Sequence, residues 1–105
     1  MAQFSVYRNK NPRSKTTFPL LVDVQSDLLD DLQTRVVIPL TKAVALTKKP
    51  VSQLTPALQF EDGTYLLMTP QLAGVARNEL GPAVGSLSER RDAILAALDF
   101  LLTGF

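Results

Sequence analysis

VDVQSDLLDDLQTRVVIPL, residues 22–40, is the stretch on which the fold turns. Two apolar, strand-like runs, Leu20 to Val24 and Val36 to Leu40, flank a polar turn. That turn carries Leu28-Leu29, bracketed by Asp27, Asp30 and Asp31. A leucine pair among three carboxylates is hard to bury without burying charge, and an unpaired buried carboxylate is costly. Leaving the pair in water forgoes roughly 1.5–3 kcal/mol per side chain. The pair is therefore either folded back as an anchor of the turn or kept outside to meet a partner.

Outward from this segment the chain reads as strands. Gln3 to Tyr7 alternates polar and apolar, with Phe4 and Val6 facing inward and Tyr7 breaking the pattern. Asn9 to Thr17 is a polar, basic loop containing Pro12. Phe18 to Val24 is a second strand, with Phe18, Leu20, Val22 and Val24 on one face; the two strands and their loop form a long hairpin. Arg35 to Leu40 is nearly all apolar and so central, with Pro39 expected to end it or bulge it. Thr41 to Ser52 is ambiguous, a helical turn stopped by Pro50. Leu54 to Phe60 and Thr64 to Met68 read as a hairpin closed by Glu61-Asp62-Gly63, Gly63 supplying the positive φ. Gln71 to Ala76 is a short strand or turn, and Gly81-Pro82 breaks the next segment.

The C-terminal part has a helical signature. Ser86-Leu87-Ser88-Glu89 has the spacing of a capping box. Leu87, Arg91, Ile94, Leu95, Leu98, Leu101 and Leu102 then share one stripe, and Gly104 stands at the expected C′ position. The second half of this helix is apolar nearly all round, which implies burial on more than one side and hence a dimer interface near it. The expected architecture is mainly β: one domain over residues 1–105, a curled sheet or barrel of antiparallel strands with one C-terminal α-helix.

Composition narrows the chemistry. With 105 residues and a net charge of +1, the chain is one domain and no bulk binder of polyanions. Charge is nevertheless segregated. Arg8, Lys10, Arg13 and Lys15 form a basic segment, and Asp23, Asp27, Asp30 and Asp31 an acidic one. Such segregation favours oriented docking. Histidine and cysteine are both absent. That removes the usual transition-metal ligands, the commonest general base and every thiol nucleophile. Neither a signal peptide nor an apolar stretch of membrane-spanning length is visible, so a cytoplasmic protein without cofactors or metals is expected.

QFSVY at residues 3–7, VDVQSDLLD at 22–30, VVIPL at 36–40 and a helix closing on Gly plus an apolar residue resemble the CcdB toxins of toxin–antitoxin modules. The resemblance runs nearly end to end and is weakest between Thr41 and Ser86. It implies an SH3-like barrel with a C-terminal helix, assembled as a homodimer. It also implies a toxin that binds the A subunit of DNA gyrase, traps that enzyme on cleaved DNA and is removed by a partly disordered CcdA-like antitoxin. No catalysis, membrane contact or sequence-specific nucleic-acid binding by the toxin is implied. Matched position by position, Leu28, Leu29, Asp99, Leu102, Thr103, Gly104 and Phe105 fall on the gyrase surface. Thr103 stands where the best-known pattern has a tryptophan, and Phe105 where it has isoleucine.

The basic loop, with Arg8, Asn9, Lys10 and Arg13, is a solvated hairpin tip or a docking site for an acidic antitoxin segment. Asp99, a carboxylate in the last helical turn, is either a tolerated surface charge or a polar contact to a basic target. Two other functions stay open. Ribonuclease toxins share the barrel topology, and fold does not fix function. An antitoxin-binding relative with weak or no gyrase poisoning is the other.

Overall fold

The computed structural model describes residues 2–43, 53–61 and 63–104. These form an antiparallel sheet, curled into a half-barrel, and one helix packed on it. The strands are β1 (Ser5–Asn9), β2 (Leu20–Asp23), β3 (Thr34–Lys42), β4 (Ala57–Phe60), β5 (Gly63–Leu67), β6 (Ala73–Ala76) and β7 (Leu80–Ser86), and the helix is α1 (Arg91–Thr103). The order across the sheet is β4-β5-β3-β2-β1-β7, with β6 also paired to β3. The expected mainly-β fold with a C-terminal helix is thus present. Of the ambiguous stretch Thr41 to Ser52, only residues 41–43 are described, the first two as the end of β3; the rest, with Pro50, lies outside the described residues.

The segment at residues 22–40 builds the centre. Leu20 lies opposite Leu40 and Val22 opposite Ile38. Leu20, Val22, Val24, Ile38 and Leu40 point into the main core with Phe4, Val6, Leu58 and Phe60. From α1, Ile94 and Ala97 close this core, with no exposed surface of their own. The alternate residues are buried as well. Tyr7, Leu21, Val37 and Leu80 form a second cluster on the opposite face, with Val75 against it. Tyr7, which breaks the alternation of the first strand, is thus the anchor of this second layer.

Several expectations need correction. Pro39 neither ends nor bulges its strand. β3 pairs with β6 through Val37 and with β5 from Leu40 onward, so Pro39 falls in the gap between two partners on that edge. Its carbonyl accepts from Met68 N–H at 2.9 Å, and its missing N–H leaves no ladder position empty. Phe18 does not continue the Leu20–Val24 face; it lines a cleft with Leu21 and Val37. Gly81-Pro82 does not break the chain. Both lie within β7, an edge strand where a proline is tolerated, and the β1–β7 register shifts twice beside them. A Cβ at Gly81 would come within 2.8 Å of the Arg8 carbonyl oxygen, so glycine allows the two backbones to approach.

At the β4–β5 hairpin, Phe60 pairs with Gly63, so the turn starts at Glu61. A two-residue hairpin turn needs positive φ at its first central position, and Glu61 adopts φ 54°. Gly63 is already strand. The serine–glutamate spacing is not a capping box either. Ser86 Oγ accepts from Ser88 N–H at 3.1 Å, a short local turn, and a 3-10 turn over Ser88–Arg90 precedes α1. At the other end Gly104 closes the helix as expected, with φ 79° and its N–H on the Phe100 carbonyl at 2.9 Å.

Candidate target-binding surface

The acidic turn is a single 3-10 turn, Asp27–Leu29, between β2 and β3. Ser26 starts it, its Oγ accepting from Leu28 N–H at 3.2 Å. Asp27 Oδ1 accepts from the Gln3 backbone N–H at 2.8 Å, which ties the turn to the start of the chain. Gln25 is buried beneath it. Its side-chain amide donates to the Leu29 carbonyl at 2.9 Å and its Oε1 accepts from Val36 N–H at 3.0 Å. With the backbone held from below, both leucines stand outward. Leu28 is 94% exposed and Leu29 50%. Leu32, beyond Asp30 and Asp31, is 48% exposed as well.

The carboxylates around the pair are ties as well as a solvated rim. Asp23, fully buried in β2, faces Arg35, fully buried in β3. Arg35 Nε donates to Asp23 Oδ2 at 2.8 Å and Nη2 lies 2.7 Å from the same oxygen. Asp23 Oδ1 accepts from Gln25 N–H at 2.9 Å. Burial raises the Asp23 carboxyl above its ordinary value, against the opposing pull of the Gln25 N–H and Arg35. Arg35 Nη1 reaches on to Asp30 Oδ1 at 3.0 Å. Arg77, from a 3-10 turn between β6 and β7, meets the same oxygen at 3.2 Å, and its Nε donates to the Leu32 carbonyl at 2.8 Å.

At the end of α1, Leu102 is 77% exposed, Leu101 is partly so, and Asp99, Thr103 and Gly104 are exposed. Thr103 Oγ1 donates back to the Asp99 carbonyl at 2.6 Å. Its hydroxyl is thus spent on its own helix. Phe105 lies outside the described residues. α1 packs on the 3-10 turns Thr69–Gln71 and Ser88–Arg90. The helix end and the acidic turn are therefore held by different parts of the fold.

In the basic loop Arg8, Lys10 and Arg13 are exposed. Asn9 is half-buried, and its side-chain amide donates to Ser14 Oγ at 3.0 Å and the Phe18 carbonyl at 2.9 Å, which shapes the loop. Lys10 Nζ donates to the Asn78 carbonyl at 3.0 Å. The loop overhangs a cleft of about 540 Å³ floored by Leu21, Val37, Pro39 and Val75. A second cleft, about 370 Å³, holds Arg8, Lys42, Glu61, Thr64 and Tyr65 at its walls.

Sequence reasoning singled out the exposed leucines but missed the groups that hold them. An arginine opening an apolar strand and an aspartate inside its neighbour, Arg35 and Asp23, were a readable sign of a buried ion pair. Gln25 and Arg77 gave no comparable sign. Among the described residues no group of acidic side chains could hold a metal, and no helix is long and apolar enough to cross a membrane.

A family model described as CcdB protein matches residues 3–104. Among solved structures, an endoribonuclease in complex with its cognate antitoxin from mycobacterial species matches with a TM-score of 0.74 and 17% sequence identity. The match covers 97% of this chain and 94% of that one. At this identity the likeness is one of fold.

Proposed function

The chain belongs to the CcdB family, and on that premise we propose that it is the toxin of a toxin–antitoxin module that binds the A subunit of DNA gyrase and traps the enzyme on cleaved DNA. The observation that carries this reading is the Asp27–Leu29 turn. A leucine left 94% in water on a backbone fixed from below adds little to folding and offers good recognition geometry. The rim of Asp27 and Asp31 suits a basic target surface. Asp99, Leu102, Thr103, Gly104 and Phe105 complete the contact.

The apolar end of α1, open in the single chain, is the support for a homodimer, whose pairing would cover part of Leu101 and bring the two helix tails together. The antitoxin docks through Arg8, Lys10 and Arg13, with Asn9 shaping their loop. The toxin acts by binding and catalyses nothing. The site of action is the cytoplasm, where gyrase works.

Expression in bacteria tests the proposal. Growth arrest relieved by a substitution in the gyrase A subunit supports it; arrest indifferent to gyrase, or no arrest, overturns it. A ribonuclease is the second reading. The cleft that gathers Arg8, Lys42, Glu61, Thr64 and Tyr65 holds acidic, basic and hydroxyl groups of the kind that cut RNA without histidine. Incubation of purified protein with RNA decides between the two.

A further inference from the structure

Arg77 is none of the proposed gyrase or antitoxin contacts, yet it grips the acidic turn from the end of β6, the strand that pairs with β3 up to Thr34. Its guanidinium reaches Asp30 Oδ1 at 3.2 Å and the Leu32 carbonyl at 2.8 Å, 47 and 45 residues away in sequence. Its own N–H donates to the Gln33 carbonyl at 3.1 Å. One residue therefore holds residues 30, 32 and 33, the segment that leads from Leu28-Leu29 into β3. That segment includes Leu32, half-exposed like Leu29. The side chains of Arg77 and Asp30 are themselves 35% and 47% exposed. Arg35 keeps its hold on Asp30 when Arg77 is removed, and water can take over the Leu32 carbonyl. The core gains little from Arg77; the shape of the turn gains a second fixed point.

We infer that Arg77 is a positioning residue for the target-binding turn: it locks the loop after Leu29 so that Leu28, Leu29 and Leu32 are presented as one preset apolar patch. The inference rests on the gyrase-binding reading and adds how that surface is kept in shape. An arginine suits the task because its planar fork meets a carboxylate and a carbonyl at once, which a lysine ammonium does with less geometric constraint.

The test uses the full-length protein and purified gyrase A subunit. Arg77→Gln, Arg77→Lys and the double variant Leu28→Ser with Leu29→Ser are compared for affinity, melting temperature and amide hydrogen exchange over residues 28–33. Arg77→Gln is expected to weaken binding about tenfold, as the competent turn becomes a minor conformer. It should also speed exchange over those residues and leave melting nearly unchanged, with Arg77→Lys recovering part of the affinity. Wild-type affinity in Arg77→Gln, unaltered exchange, or a large fall in melting temperature overturns the inference. If Arg77→Gln binds normally while the double variant does not bind, the positioning role fails and the gyrase reading stands. If the double variant binds as well as the wild type, the gyrase reading falls and takes the inference with it.

Discussion

Arg35 and Asp23 lie side by side without exposure to solvent, Nε and Nη2 of the arginine 2.8 and 2.7 Å from one carboxylate oxygen. Through Asp23 the pair holds the backbone of Gln25, and through Asp30 it reaches the turn that presents Leu28. A buried ion pair in this position joins the interior of the sheet to its proposed recognition surface.

Removal of one partner should be severe. Arg35→Met leaves Asp23 buried and unneutralised, an effect of about 3–5 kcal/mol. Equilibrium denaturation is the measurement. Adding Asp23→Asn to Arg35→Met should return part of the loss, because the stranded charge is then gone.

The raised Asp23 carboxyl sets a dependence of stability on acid. Between the ordinary value, near 3.8, and the higher folded value, the folded chain keeps a proton that the unfolded chain has released. Stability contributed by this group is therefore complete below that window and declines as pH rises through it. Carbon-detected NMR should find the Asp23 midpoint above those of the exposed aspartates. Denaturation of Asp23→Asn should lack this component of the pH slope.

The leucine pair should separate binding from folding. Leu28→Ser with Leu29→Ser is expected to abolish association with gyrase A while shifting stability by no more than about 1 kcal/mol, since each leucine is half or more in water. Calorimetric titration paired with thermal melting gives both numbers. A large stability loss would mark the pair as a core anchor.

Close backbone approach makes Gly81 sensitive. Gly81→Ala places a Cβ 2.8 Å from the Arg8 carbonyl oxygen, and neither strand can yield without disturbing the β1–β7 pairing. A loss of about 1–3 kcal/mol is expected, read by chemical denaturation.

Much of the sheet was legible because Leu20 to Val24 and Val36 to Leu40 are apolar enough to be nothing but inner strands. β7 was not. Gly81 and Pro82 are breakers in most settings, and only their place on an edge strand makes them harmless. The serine at 86 misled in the same way, since its hydroxyl accepts from Ser88 N–H where a capping box would have it accept from Glu89 N–H. In the proposed recognition surface, the carboxylates beside Leu28 left an anchor of the turn and an exposed contact both open, and the resemblance to the CcdB toxins, not the local pattern, pointed to exposure. Arg77 could not, because its reach to Asp30 depends on which strands become neighbours.

β1 and β7 stand together, Ser5 opposite Ser86, so β1 finds its second neighbour only after β2 to β6 have all been made. Contacts of such sequence separation slow folding. On the ribosome the half-barrel stays open along that side until Ser86 has emerged, and the leucine-bearing turn lacks its far tether until Arg77 has. Until then the nascent chain carries its proposed recognition face unfinished.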